Sequence, residues 1–235
     1  LFSQALQFFA HEESMVRAAV RTLTLQVYAL RDEEIGAFVC DGPEGAYFGR
    51  LGEHLRRSWL QSQKVAAAVG AGSIGAARLE TDLDDLDDWL CYCSDIHSVG
   101  PPAVGAALAE GLWEGFLAQL VGGLEKVLEH AERPEALALP APNQASADYV
   151  ECLCSLNTLE RVLQFLQVPG LMGDLAAALL GSPPGAGAAQ SGRSGECAPA
   201  PLLAAAEVCL QSRDARLATA QIGRASCREK VSTSV

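Results

Sequence analysis

His11-Glu12-Glu13-Ser14-Met15-Val16-Arg17-Ala18-Ala19-Val20-Arg21-Thr22-Leu23-Thr24-Leu25-Gln26-Val27-Tyr28 is the stretch whose reading decides the fold of this chain. Val16, Val20, Leu23, Val27 and Leu30 follow one another at steps of four and three residues, the spacing that lines side chains along one face of an α-helix. The stripe predicts a helix over residues 13–30, with Val20 and Leu23 at its buried centre. Glu13, Arg17 and Arg21 repeat at steps of four on a second face, where opposite charges one turn apart support each other by roughly 0.2–0.5 kcal/mol per pair. Exposed pairs contribute so little, about 0–1 kcal/mol, that packing alone is a weak reason for this polar stripe. Glu13, Arg17 and Arg21 are therefore the candidate protein-binding surface, centred on the two arginines.

The same period extends in both directions from this helix. Residues 2–10 read as a helix paired with it or broken from it near His11, and Glu33–Phe38 as a short helix. Gly42-Pro43 breaks the chain, after which Tyr47, Leu51, Leu55 and Trp59 step by fours. Residues 65–77 are rich in alanine and glycine and read as a loop or insertion. Leu79, Leu83, Leu86, Leu90, Cys93 and His97 form a strong helical stripe that Gly100-Pro101-Pro102 ends. Leu108, Leu112 and Phe116, with Trp113, Leu117 and Val121, make a helix apolar on two faces, and so a central one. A proline-rich loop is expected over 133–145. Tyr149, Leu153, Leu156, Leu159, Leu163 and Leu166 mark a further helix with Ser146 as its N-cap, and Pro169-Gly170 separates it from Leu171–Leu180. No alternating strand pattern recurs. The expected fold class is all-α. Successive helices joined by short breaks suggest an α-solenoid of irregular helix pairs, each burying its stripe on the next.

The first stretch, preceded by Phe8-Phe9-Ala10, resembles the signature of the FPL-domain family, with members among Ema, the C-type-lectin-domain-family-16A proteins and the plant Transparent Testa homologue. The family motif reads Phe-Phe-x-His-Pro-Glu-Ser-Met-Val-Arg-x-Ala-Val-Arg-Thr-x-Thr-Leu-x-Val-Tyr, and the match is ungapped apart from Glu12 in place of proline. Ala46-Tyr47-Phe48-Gly49-Arg50-Leu51 is similar to the family's Pro-Tyr-Phe-x-x-Leu. Leu86-Asp87, Leu90, Tyr92 and Asp95-Ile96 match its Leu-Asp-x-Leu-x-Tyr-x-x-Asp-Ile. The resemblance covers residues 1–180 and implies an armadillo-like helical array. It also implies a non-enzymatic scaffold or adaptor of endosome, vacuole or lysosome trafficking and autophagy. Such a protein would work by binding other proteins of that machinery, from a cytoplasmic position peripheral to endosome, Golgi or vacuole membranes.

Domain organisation follows from these readings. Residues 1–180 are expected to form the helical domain, amino-terminally truncated because Leu1 already lies within the signature. Residues 181–200, rich in Gly, Pro, Ser and Ala, read as a flexible linker, and 201–221 as an isolated helix. Ile222-Gly223-Arg224-Ala225-Ser226-Cys227-Arg228-Glu229-Lys230-Val231 resembles the translation of a common sequencing adaptor with one departure, Lys230 for arginine. Residues 222–235 are accordingly expected not to be native.

Charge and composition narrow the partners. The formal net charge of −12 repels nucleic-acid phosphates and disfavours simple docking to anionic lipid. No run of 18 or more apolar residues is present to span a membrane. The eight cysteines, Cys40, Cys91, Cys93, Cys152, Cys154, Cys197, Cys209 and Cys227, are scattered through a long apolar chain, as free thiols in a reducing compartment are.

Three patterns offer chemistry. Gly70-Ala71-Gly72-Ser73-Ile74-Gly75 is a literal G-x-G-x-x-G, with Lys64–Val69 as a conceivable strand before it. A dinucleotide pyrophosphate needs a positive helix start, yet Glu80, Asp82, Asp84, Asp85, Asp87 and Asp88 follow. A nucleotide-binding enzyme built on Gly70–Gly75 is thus the alternative reading, beside that of a structural helical fragment without autonomous function. Cys91-x-Cys93 and Cys152-x-Cys154 lie within helices, where residues two apart point about 200° from one another, so neither pair chelates. His11, His54, His97 and His130 share no metal or triad spacing, and Asp95 and His97 stand on opposite sides of one helix. The Asp82–Asp88 run reads as a solvated helix face. No catalytic residue, cofactor or metal is assigned, and the chain is not expected to be an enzyme.

Overall fold

The computed structural model describes residues 2–41, 45–131 and 147–179, and among them every regular element is helical. The elements are α1 (Phe2–Ala5), a 3₁₀ turn (Leu6–Phe8), α2 (Ser14–Ala29), α3 (Glu33–Asp41), α4 (Ala46–Gly70), α5 (Ala76–Val99), α6 (Pro102–Leu112), a π turn (Trp113–Leu117), α7 (Ala118–Ala131), α8 (Ala147–Phe165) and α9 (Pro169–Leu179). The all-α expectation holds. None of the described helices is long and apolar enough to cross a membrane. The linker expected at 181–200, the helix at 201–221, the tail at 222–235, the proline-rich loop at 133–145, the Ser146 cap and the Gly42-Pro43 break lie outside the described residues.

Helix α4 is the hub, packing against α5, α6, the π turn and α8. Its buried face carries Tyr47, Phe48, Leu51, Leu55, Trp59, Val65 and Ala66, the four-step stripe read from the sequence and one further turn. That extra turn corrects the loop expected over 65–77. The helix runs to Gly70, and α5 starts at Ala76. Alanine is the best helix former, and Val65 and Ala66 are buried, so packing there overrides the appearance of an Ala/Gly linker.

Two helix ends show how local chemistry sets the layout. Asp32 Oδ1 accepts the backbone N–H groups of Glu34 (2.9 Å) and Ile35 (3.0 Å), satisfying donors that the first turn of α3 leaves free. Before it stands Arg31, at φ 51° in the left-handed region that non-glycine residues seldom visit. Its guanidinium donates to Val99 O (3.2 Å) and Ser98 O (3.3 Å), a cation on the negative end of α5.

Where α4 crosses the run from α6 into the π turn, three glycines bring backbone against backbone. A Cβ added to Gly52 would lie 2.2 Å from Gly111 O, one on Gly111 2.6 Å from Phe48 C, and one on Gly115 2.9 Å from Gly52 Cα. The two-faced helix read at 108–121 is central as expected. Leu108, Leu112, Phe116 and Leu117 are fully buried.

Two stripes are rotated from their sequence reading. In α2 the buried line is Val20, Thr24 and Tyr28, while Leu23 is half-buried and Leu30 is 65% exposed. In α8 it is Val150, Ser155, Thr158, Leu159 and Val162, with Leu163 56% exposed. In both helices a hydroxyl residue takes a core position that a count of apolar residues passes over.

Candidate functional site

Helix α2 lies against α5 through polar and aromatic groups. Thr24 Oγ1 stands 2.5 Å from Tyr92 Oη, which is 2.8 Å from Tyr47 Oη. The Thr24 hydroxyl donates to Arg21 O (2.8 Å), so its oxygen must accept from Tyr92, and Tyr92 in turn accepts from Tyr47. The chain of donors therefore has one direction. Burial pushes the Tyr92 phenol up to about 12 and raises that of Tyr47 as well, which keeps both protonated and able to donate.

One helical turn from Thr24, the Arg21 guanidinium lies 4.2 Å from the Trp89 ring centroid and 5.1 Å from that of Tyr92. Trp89 also meets His54 at 4.4 Å and Phe9 at 5.8 Å. Phe9 meets Tyr47 at 5.5 Å and lies 5.6 Å from the Arg50 guanidinium carbon. The 3₁₀ turn, α2, α4 and α5 thus converge on Trp89. His54 is pushed down to about 4, chiefly by burial and then by the charges of Arg57, Arg21 and Arg17. The imidazole is neutral near pH 7, and those three cations share its neighbourhood.

The mutual pairing expected of Glu13, Arg17 and Arg21 is not what forms. No ion pair joins them among the described residues. Arg17 Nη1 donates to His11 O (2.9 Å) and Glu12 O (2.8 Å), tying down the chain just before α2. Glu13 is the N-cap residue of α2 and exposed, and its backbone N–H donates to His11 Nδ1 at 3.1 Å. Free carbonyls at a helix break and electron-rich ring faces take the two arginines in place of the carboxylate. Both arginines are half-buried rather than fully exposed. Of the groups that complete the cluster, Trp89 was not named from the sequence, Tyr92 entered only within the family motif, and His54 only as a histidine without metal or triad spacing. The signal for Trp89 and Tyr92 is the line of aromatics flanking the leucine stripe of α5, and only tertiary contact brings Arg21 and His54 to it.

The remaining candidates are placed apart from the cluster. Lys64–Val69 is helical and Gly70 ends α4, so the G-x-G-x-x-G has no strand before it. Cys91 is exposed and Cys93 buried, on opposite sides as helical spacing requires. Burial raises Cys93 to about 12 and Cys154 to about 11, values that make poor nucleophiles and metal ligands. Among the described residues no group of three His, Cys, Asp or Glu is placed to hold a metal. The side chain of His130 lies outside the described ones. The acidic run needs one correction. Asp84, Asp85 and Asp88 are exposed, but Asp87 is buried in an ion pair with Arg161, which also donates to Asn157 Oδ1 (3.1 Å) and Leu83 O (3.4 Å). That pair fastens α8 to α5.

The chain is 43% identical over 189 residues to CLEC16A of Homo sapiens, covering 77% of this chain and 16% of that protein. It is 28% identical over 184 residues to Transparent Testa 9 of Arabidopsis thaliana, covering 76% of this chain and 20% of that protein. The CLEC16A homolog of Drosophila melanogaster is 41% identical over 112 residues, covering 48% and 10%. The chain is a homologue of the CLEC16A and Transparent Testa 9 proteins. It spans about a fifth or less of the length of these relatives. No family model matches it, and no solved structure does.

Proposed function

We propose that this helical domain is a non-enzymatic, protein-binding scaffold. In this reading it forms part of an armadillo-like array in a larger protein of endosome or vacuole (lysosome) trafficking and autophagy. The trafficking role rests on the likeness of the chain to the CLEC16A and Transparent Testa 9 family. The protein would sit in the cytoplasm, peripheral to such membranes, and its partners would be other proteins of that machinery. The binding surface is placed on Glu13, Arg17 and Arg21. One observation carries it. Arg17 and Arg21 are both fixed in position, by backbone carbonyls and ring faces, without a carboxylate among the described residues to neutralise them. A held, uncompensated charge gives a complementary acidic partner both orientation and speed of encounter.

The test is rescue of endosome or autophagy defects in cells lacking the native protein, by the full reading frame bearing Glu13→Lys or Arg17→Glu. Glu13 is exposed, so its variant should keep the stability of the domain. Arg17→Glu should also lose two hydrogen bonds, at roughly 1 kcal/mol each. Both variants should lower rescue while far-ultraviolet circular dichroism stays helical. Full rescue by both would reject this surface.

A further inference from the structure

Beyond the Arg17 and Arg21 surface, α4 and α5 enclose a second recess. His54, Arg57, Ser58, Leu60, Gln61 and Lys64 of α4 face Asp82 and Asp85 of α5 across a cleft of about 440 Å³. That is room for a few side chains. The opposite charges of its two walls do not bridge. The ion pairs of these residues run along their own helices, Arg57 to Glu53 at 3.9 Å and Asp82 to Arg78 at 3.2 Å. Asp82 Oδ2 is buried and has no hydrogen-bond partner. A buried carboxylate oxygen left in that state is costly.

The charges also define what can enter. Arg57 and Lys64 balance Asp82 and Asp85, and His54 is neutral near pH 7. A polyanion, whether nucleic acid or a phosphorylated headgroup, meets as much repulsion as attraction. A single cation or anion satisfies one wall only. An occupant with both signs a few ångströms apart satisfies both. One helical turn further along α5, Trp89 and Tyr92 hold the guanidinium of Arg21, and Trp89 packs on His54.

We infer that the α4–α5 cleft is a peptide-binding site. Its occupant is a segment of a partner protein in which a basic side chain, seated on Asp82 and Asp85, stands close to an acidic one seated on Arg57 and Lys64. This rests on the scaffold reading only in that the ligand is a protein; it places recognition on different residues.

The test uses fluorescein-labelled peptides of glycine and serine carrying one glutamate and one arginine at separations of one to five residues, read by fluorescence anisotropy against the whole chain. At least one separation should bind. Replacing either charged residue of that peptide by alanine should weaken binding about tenfold, the equivalent of 1.4 kcal/mol. Asp85→Asn and Lys64→Gln, both at exposed positions and checked by thermal melting, should each do the same. Glu33→Gln, at an exposed position of α3, should leave peptide affinity unchanged. The inference is overturned if no separation binds, if the Asp85 and Lys64 variants bind as the parent does, or if a peptide with two glutamates and no arginine binds equally well. Equal loss on Glu33→Gln would overturn it too, while leaving the Arg17 surface standing.

Discussion

The seam between α4 and the α6–π run and the seam between α2 and α5 are built on opposite principles. In the first, Gly52, Gly111 and Gly115 bring main chains so close that a single added methyl meets backbone at 2.2–2.9 Å. Nothing there can yield by turning a rotamer. The second is made of long side chains: Arg21 on Trp89 and Tyr92, and the hydroxyl chain Tyr47–Tyr92–Thr24. Its parts are held by direction and charge, and each can be lost singly. In the proposed scaffold the first seam would fix the frame and the second would present charge. Substitutions in the first seam should unfold this domain, whereas those in the second should mainly change the charge that it displays.

The largest effect should come from the glycine seam. Gly111→Val forces α4 and α6 apart, an overpacking cost of about 3 kcal/mol or more, and the urea midpoint should collapse. A midpoint within error of the parent would mean that the crossing is looser than described. Next is the buried charge that fastens α8 to α5. Arg161→Ala removes the guanidinium that pairs with buried Asp87, and calorimetry should show a loss of about 3 kcal/mol.

Arg21→Ala removes a guanidinium from two ring faces and should cost about 1–2 kcal/mol in chemical denaturation. Arg21→Lys should restore part of that loss. If alanine is as stable as arginine there, Arg21 belongs wholly to the binding surface. Acid should bring a further loss, through His54. The folded state holds His54 at about 4 against an ordinary 6.5, so the unfolded chain binds the extra proton between those values. This contribution is fully present above pH 6.5 and is lost as the pH falls towards 4. His54→Gln should flatten that part of the stability profile relative to the parent.

The sequence made the frame legible for a plain reason. A helix that buries a continuous stripe must write it at steps of three and four, and the stripes Tyr47–Leu51–Leu55–Trp59 and Leu83–Leu86–Leu90–Cys93 are buried where they were read. What was not legible depends on a neighbour distant in sequence. Thr24 displaces Leu23 from the centre of α2 because Tyr92 offers it a hydroxyl 68 residues away. Arg21 leaves Glu13 for Trp89 on the same account. The close crossing at Gly52 and Gly111 cannot be told from an ordinary glycine-rich stretch until α6 lies on α4. The extension of α4 through 65–70 was hidden by composition. The sequence put forward Arg17 and Arg21 as a candidate surface, but it did not show the rings that meet Arg21 or that no carboxylate among the described residues pairs with either arginine.

Arg31 ties two distant parts of the chain to one event. Its backbone sits at φ 51°, a conformation that costs of order 1–3 kcal/mol and persists only where the surroundings hold it. Here the holding is done by its own side chain, on the last carbonyls of α5. The turn between α2 and α3 and the end of α5 should therefore open together. In hydrogen exchange, amides around Arg31 and around Gly100 should share one protection factor, and Arg31→Gly, at ease with that φ, should uncouple them.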